Sequence, residues 1–82
     1  MKDQILYREI DIKNFFQKAM VGYKGIVPIM NKYKIEITKK SIQYWIIQVY
    51  SKLNNEYILS NEYLIRTAKL AQNKVIKLKR KL

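Results

Sequence analysis

The sequence predicts a small all-α domain of three to four helices, with room for a short strand or wing and with a basic helix at the C-terminus. Three observations support this prediction. Apolar residues recur at helical spacing in several segments of the 82-residue chain, and its only two glycines and only proline lie close together between two of those segments. Residues 63–82 carry seven Lys or Arg and no acid. A chain of this length forms one domain, which we divide into a helical core over 11–59 and a basic helix over 60–82.

The first predicted helix covers about residues 11–21. Asp11 is a suitable N-cap, because its carboxylate can accept hydrogen bonds from the free N–H groups of the first turn. Residues 1–10 keep no single period, so a short strand or an irregular arm fits them as well as a helix. Gly22 and Gly25 predict a turn after the helix. The apolar side of this helix consists of Ile12, Phe15, Phe16, Ala19, Met20 and Tyr23.

Two further helices are predicted between the glycines and the Asn54-Asn55 pair. Pro28 suits the first turn of a short second helix, because the N–H that proline lacks is not needed there. Residues 34–37 form the connection, and Thr38 caps a third helix that ends at Asn54-Asn55, where asparagine tolerates left-handed geometry. The side of the third helix that we expect to face the core consists of Ile42, Trp45, Ile46, Val49 and Leu53.

The last segment is predicted to be a helix capped by Ser60 or Asn61, preceded by a strand or link over residues 56–59. Its apolar residues are spaced alternately by four and three positions, which is a heptad pattern. This stripe could pack on the domain, pair with a second copy or lie on a membrane, and two alanines make it narrow. The residues of the stripe are Leu64, Ala68, Ala71, Val75, Leu78 and Leu82.

The formal net charge is +11 and the pI is near 10.0. Such an excess attracts anionic partners, whether DNA, RNA or an anionic membrane. The apolar content of 49% argues against a disordered basic tail. No segment approaches the ~18 continuous apolar residues of a membrane-spanning helix, and residues 1–4 do not begin a signal peptide. We therefore expect a cytoplasmic protein.

The residues Thr38, Ile42, Trp45 and Ile46 carry a family resemblance. Their spacing, behind the short helix that begins near Pro28, resembles the helix-turn-helix of phage-repressor-type DNA-binding proteins, over residues 25–47. The connection is slightly longer than in the tightest members, so a looser helix pair or a winged variant also fits. The resemblance implies a sequence-specific binder of double-stranded DNA that acts as a transcriptional regulator or as a phage or plasmid accessory factor. It would read the major groove with the helix starting at Thr38, act as a homodimer and associate with the nucleoid.

The predicted DNA-binding residues fall into three groups. Base contacts are expected from the exposed side of the third helix, phosphate contacts from its cap and from the preceding helix and turn, and phosphate contacts independent of sequence from the C-terminal tail. In that order they are Lys39, Lys40, Gln43 and Tyr44; then Thr38, Lys24, Lys32 and Lys34; then Lys77, Lys79 and Arg80. Trp45 is expected in the core rather than as a platform for base stacking.

Catalysis is not expected. The chain has no His and no Cys, which excludes disulfides and the usual zinc sites, and it has no Gly-rich phosphate loop. No cofactor, metal or small-molecule substrate is indicated. Two alternatives to DNA binding stay open, namely an RNA-binding or ribosome-associated protein and a helical oligomer assembled through the C-terminal heptads.

Overall fold

The computed structural model of the chain describes residues 12–82, and it is a mixed α/β domain in which a four-stranded sheet dominates. The prediction of an all-α domain is therefore wrong. The predicted cap at Asp11 and the predicted arm over residues 1–10 lie outside the described residues. In chain order the elements are α1 (Ile12–Lys18), β1 (Lys24–Ile29), β2 (Tyr33–Lys39), β3 (Tyr44–Leu53), β4 (Glu56–Arg66) and α2 (Ala68–Lys81).

The four strands form an antiparallel meander in the order β1-β2-β3-β4. Val27 pairs with Ile35, and Ile35 pairs with Val49, so that buried residues align across three strands. Because side chains alternate between the two faces of a strand, the neighbours of these residues lie on the opposite face. The register shifts once, between Val49 and Tyr50 against β4. One face is thus apolar and the other mostly polar.

The apolar face is covered by the helices, and we call it the covered face. Trp45 is 1% exposed at its centre. The Phe16 ring of α1 lies 4.6 Å from the Trp45 ring, and the Phe15 ring lies 6.1 Å away. From α2, the side chains of Ala71, Val75 and Leu78 complete the core. The predicted core position of Trp45 is confirmed, but the residues of its own segment that share its face are Ile47 and Val49, at alternate positions of a strand.

Tight turns join the strands at one end of the sheet, where the sequence had suggested helices. Asn54 and Asn55 have φ angles of 52° and 65° and connect β3 to β4. Met30 and Asn31 have φ angles of 51° and 60° between β1 and β2, where the Lys32 N–H donates to the Ile29 carbonyl. Two consecutive positive φ angles are the feature of the type I′ turn, whose twist matches that of a hairpin. The asparagine pair therefore closes a hairpin rather than ending a helix.

The predicted helix-turn-helix is not present over residues 25–47. This segment contains β1, β2 and the first residues of β3, and Thr38 lies within β2 instead of capping a helix. Ile42, expected in the core, is exposed in the β2–β3 loop, whereas Ile47 of β3, which was not assigned to the predicted core side, is completely buried. Ile47 is buried because it follows Trp45 by two positions, and alternate residues of a strand reach the same face.

Helices are present at the two ends of the described chain. The predicted first helix exists but ends at Lys18, and the predicted basic C-terminal helix begins at Ala68, eight residues after Ser60. Its N-cap is Thr67, whose hydroxyl accepts a hydrogen bond from the Leu70 N–H at 3.3 Å. Of the three alternatives for the heptad stripe, packing on the domain itself is the one observed, since Ala71, Val75 and Leu78 are buried in the chain's own core.

Candidate functional site

The outer side of α2 carries three exposed cations and no acid. Burial of Ala71, Val75 and Leu78 fixes the rotation of the helix about its axis. The opposite side, 100–180° away around the helix, carries Lys69, Asn73, Lys77 and Arg80, all of which are exposed. We call these four residues the α2 stripe. Lys69 and Arg80 are eleven positions apart, so the stripe is about 16 Å long at a rise of 1.5 Å per residue.

The charge of α2 is uniform in sign. The helix contains six Lys or Arg and no acid within its 14 residues. Lys79, Arg80 and Lys81 lie in the last turn, where cations interact favourably with the negative end of the helix dipole. Lys74 is turned toward the sheet, with its Nζ 4.1 Å from the centre of the Tyr63 ring. The stripe itself is therefore available to an external anion.

The junction between β4 and α2 fixes where the helix begins. Thr67 has φ 62° and ψ 146°, a combination that is costly for a β-branched residue. Its N–H donates to the Gln43 carbonyl at 2.9 Å, and its own carbonyl accepts from the Ala71 N–H at 3.1 Å. These bonds tie the start of α2 to the β2–β3 loop, so the stripe is held in place relative to the sheet.

The face of the sheet opposite the helices, which we call the open face, combines tyrosines with cations. The Nζ of Lys34 lies between two rings, 5.0 Å from the centre of Tyr50 and 4.6 Å from that of Tyr57. Nearer the other end of the sheet, Arg66 lies against Tyr44 and donates two hydrogen bonds to its hydroxyl, at 3.1 and 2.9 Å. These cations already have partners within the chain.

Glu36 lies at the centre of the open face and is buried although no helix covers that face. It forms ion pairs with Lys24 at 3.2 Å and with Lys34 at 2.9 Å. Burial alone raises the pKa of Glu36, but the hydrogen bonds and positive charges of the two lysines outweigh burial, so the net pKa is below its ordinary value. The charge of Glu36 is thus fully compensated, and the three side chains together carry one positive charge.

The structure does not bring the predicted DNA-binding residues together. Lys39 is directed inward, since its Nζ donates to the Ala19 carbonyl at 3.0 Å and lies 5.3 Å from the centre of the Trp45 ring. Lys40 and Gln43 are in the β2–β3 loop, while Lys32 is in a turn at the opposite end of the sheet.

The other predicted residues are divided between the open face and α2. Thr38 and Tyr44 lie on the open face, together with Lys24 and Lys34, which pair with Glu36. Lys77, Lys79 and Arg80 belong to α2, where Lys77 and Arg80 are exposed and Lys79 is half-buried. Only this last group keeps the setting that the sequence predicted, a basic C-terminal helix.

Sequence reasoning missed Lys69 and Asn73 as site residues. The signal that could have found them was available in the heptad pattern. If Ala71, Val75 and Leu78 face inward, positions 69, 73, 77 and 80 must face outward on the same helix. By contrast, the pairing of Tyr50 and Tyr57 around Lys34 depends on strand register, and no spacing in the sequence indicates it.

No helix within residues 12–82 is long and apolar enough to cross a membrane. In the same range, no group of three or more acidic, His or Cys side chains is arranged to hold a metal ion. Comparisons of the chain with models of protein families, with curated proteins and with solved structures find no match.

Proposed function

We propose that the chain binds double-stranded DNA through the α2 stripe. The observation that carries this proposal is the acid-free, outward-facing set of Lys69, Lys77 and Arg80 on a helix whose opposite side is anchored in the core. Elsewhere the main cationic side chains of the sheet are engaged with Glu36 or with tyrosine rings. The stripe is therefore where the excess charge of the chain is most available to a polyanion.

The dimensions of α2 suit this partner. A helix with its side chains is about 10–12 Å across, and the major groove of B-DNA is about 12 Å wide. In this arrangement Lys69, Lys77 and Arg80 contact phosphates, which fixes orientation without selecting sequence. Asn73 lies between them as the uncharged polar residue of the stripe, and asparagine can pair with adenine through two hydrogen bonds. Sequence preference in this proposal rests on Asn73, not on a helix that begins at Thr38.

The proposed activity places the protein on the nucleoid, as a transcriptional regulator or as a phage or plasmid accessory factor. We also propose that it acts as a homodimer, because two copies would double the phosphate contacts of one short helix. β4 supports this proposal, since it is an edge strand of 11 residues with Ile58, Leu59 and Leu64 exposed. Free edges of this kind pair readily with another strand. Sedimentation equilibrium of the full chain tests it, and a monomer at all concentrations would contradict it.

The test of DNA binding compares two pairs of lysines. Lys69→Gln with Lys77→Gln removes two charges from the stripe, and Lys32→Gln with Lys40→Gln removes two from exposed turns that the helix-turn-helix interpretation had favoured. Each phosphate contact contributes about −0.9 to the slope of log K against log salt. We expect the stripe pair to make the slope about 1.8 less steep and the control pair to leave it unchanged, as measured by fluorescence anisotropy with a short duplex. Equal changes for both pairs would contradict the proposal.

A second candidate is the binding of single-stranded RNA on the open face. The specific observation in its favour is the presence of Tyr44, Tyr50 and Tyr57 on one sheet face beside Arg66 and Lys34. Bases stack on such rings, with a contribution of about 1–3 kcal/mol per base. If this candidate is correct, Tyr44→Leu weakens the binding of single-stranded RNA and leaves duplex DNA binding unchanged. If the variant with Lys69→Gln and Lys77→Gln loses duplex binding but keeps the binding of single-stranded RNA, the first proposal is favoured.

A further inference from the structure

One end of the sheet is built from loops that are joined by hydrogen bonds, and we call it the loop end. It comprises the α1–β1 loop (residues 19–23), the β2–β3 loop (residues 40–43) and the β4–α2 junction at Thr67. The Gly22 N–H donates to the Lys39 carbonyl at 2.7 Å, and the Lys39 N–H donates to the Tyr23 carbonyl at 3.1 Å. With the bond from Thr67 to Gln43 described above, the three segments form one continuous surface.

Large apolar side chains project from this surface. Ile42 is 84% exposed, Met20 is 60% exposed and Val21 is 54% exposed. The loop that carries Ile42 is well supported, because the N–H groups of Lys40 and Ser41 both donate to the Tyr44 carbonyl, at 3.0 and 3.3 Å. The exposure of Ile42 is therefore a property of a hydrogen-bonded loop. A cluster of exposed apolar residues on a supported surface is typical of an interaction site.

The charges around these apolar residues have one sign. Residues 18–24, 38–44 and 66–70 contain no Asp or Glu. Lys18, Lys40 and Lys69 are exposed there, and Arg66 lies at the same end. The combination of projecting apolar side chains and surrounding cations is complementary to a surface that is apolar inside and anionic outside. An anionic bilayer has this organisation, whereas a DNA duplex provides no apolar layer for Ile42 or Val21.

We propose that the loop end binds the surface of a bilayer that contains anionic phospholipid. Met20, Val21 and Ile42 enter the boundary between headgroups and acyl chains, and Lys18, Lys40 and Lys69 contact the headgroup phosphates. Binding is peripheral and reversible, because its strength scales with the apolar area buried and with the attraction of the lysines to the anionic surface. Lys69 is shared with the α2 stripe, but the apolar residues belong to loops that the stripe does not use, so the variants at Val21 and Ile42 test lipid binding separately from DNA binding.

The opposite end of the sheet provides a matched control. The turns there expose Met30 (76%) and Leu53 (59%), so they offer a comparable apolar area. They differ in chemical setting, because Glu56 lies beside Leu53 and the Nζ of Lys52 donates to Asn31 at 3.0 Å, which leaves Lys32 as the exposed lysine of these turns. If apolar exposure alone directed binding to lipid, the two ends would be equivalent. The proposal predicts instead that the loop end binds the bilayer and that the opposite end does not.

The experiment is co-sedimentation with vesicles of phosphatidylcholine alone or of phosphatidylcholine and phosphatidylglycerol in equal parts. We expect the wild-type chain to bind the anionic vesicles and to bind the neutral ones at least about tenfold more weakly. Val21→Ser with Ile42→Ser should weaken binding to the anionic vesicles by roughly tenfold or more, because apolar area is lost. Met30→Ser with Leu53→Ser should leave binding unchanged. The substituted side chains are exposed, and equal melting temperatures of the variants would establish that folding is unaffected.

A second measurement reports insertion directly. In Ile42→Trp the new indole lies at the tip of the β2–β3 loop, while Trp45 stays in the core at 1% exposure and serves as an internal reference. Brominated lipid in anionic vesicles should quench the added fluorescence of Ile42→Trp and not that of Met30→Trp. Absence of binding by the wild type, equal losses in the two serine pairs, or quenching at Met30→Trp but not at Ile42→Trp would each overturn the proposal.

Discussion

The covered face and the open face of the sheet are made from alternate residues of the same strands, yet they are stabilised in different ways. On the covered face, Trp45, Ile47 and Val49 pack against α1 and α2 with almost no exposure. On the open face, Glu36 is also buried; it lies opposite Ile26 in the register, and its carboxylate pairs with Lys24 and Lys34. The first arrangement depends on the removal of apolar area from water, and the second depends on compensated charge.

This difference indicates which charges are available for function. The cations of the open face are used within the chain, in ion pairs and in contacts with tyrosine rings. The exposed cations of α2 face outward from a helix whose anchoring residues are apolar. The cations of the open face therefore contribute to the stability of the fold, whereas the exposed cations of α2 are open to partners. Three predictions test this comparison of the two faces.

The largest expected effect is on the covered face. Trp45→Ala should lower the free energy of unfolding by about 3–5 kcal/mol, because it leaves a cavity beside Phe16 and removes a large apolar contact area. Ile46→Ala, one residue along the same strand and half-buried on the open face, should cost only about 1 kcal/mol. Urea unfolding followed by circular dichroism measures both values. Similar losses for the two variants would mean that the faces do not differ as described.

The next effect concerns the ion pairs of Glu36. Its pKa in the folded chain is below its ordinary value of 4.5, so the charged carboxylate adds stability above that ordinary value. This stability is lost as the pH falls through the lowered pKa. Glu36→Gln should therefore cost about 1–3 kcal/mol at neutral pH, and the difference from the wild type should shrink on acidification below pH 4.5. Unfolding titrations at a series of pH values test it, and a difference that stays constant with pH would contradict it.

The smallest effect is expected for the rings of the open face. Tyr57→Leu keeps an apolar side chain but removes the ring that lies 4.6 Å from Lys34 and 5.7 Å from Lys52. We expect a loss of about 0.5–1 kcal/mol, the usual size of an exposed cation–π contact. Tyr23→Leu, in the exposed α1–β1 loop, is the matched control and should change stability less. A greater loss of stability for Tyr23→Leu would mean that the contacts between Tyr57 and the lysines of the open face do not stabilise the fold.

The failure of the helical prediction has a physical origin in β3. Ile42, Trp45, Ile46 and Val49 are spaced as on a helix, but Ile42 lies in the β2–β3 loop and Ile46 is an apolar residue on the open face. In the same segment, Trp45, Ile47 and Val49 alternate strictly, as expected for a strand with one buried face. Two signals favoured that alternation, namely the many β-branched residues between Ile26 and Val49 and the period of two in β2, where Ile35 and Ile37 alternate with Glu36.

The candidate site could be predicted only where local structure is sufficient to define it. Lys77, Lys79 and Arg80 were predicted as part of a cationic C-terminal tail, and helical spacing relative to Val75 and Leu78 distinguishes the exposed Lys77 and Arg80 from the half-buried Lys79. Lys39 could not be assigned correctly, since its contact with the Ala19 carbonyl joins residues 20 positions apart. The same limit applies to Lys24, whose partner Glu36 lies on the next strand, across the sheet register.

The sequence by itself determined the net charge of +11, the existence of a basic C-terminal helix, though with a start at Ser60 or Asn61 instead of Ala68, and the burial of Trp45. These follow from composition and from spacing within one segment. Tertiary structure decided that residues 24–66 form a sheet, which cations are neutralised on its open face, and which apolar loops meet at its loop end. Those features depend on strand pairing between residues distant in the chain, and no pattern within a single segment specifies that pairing.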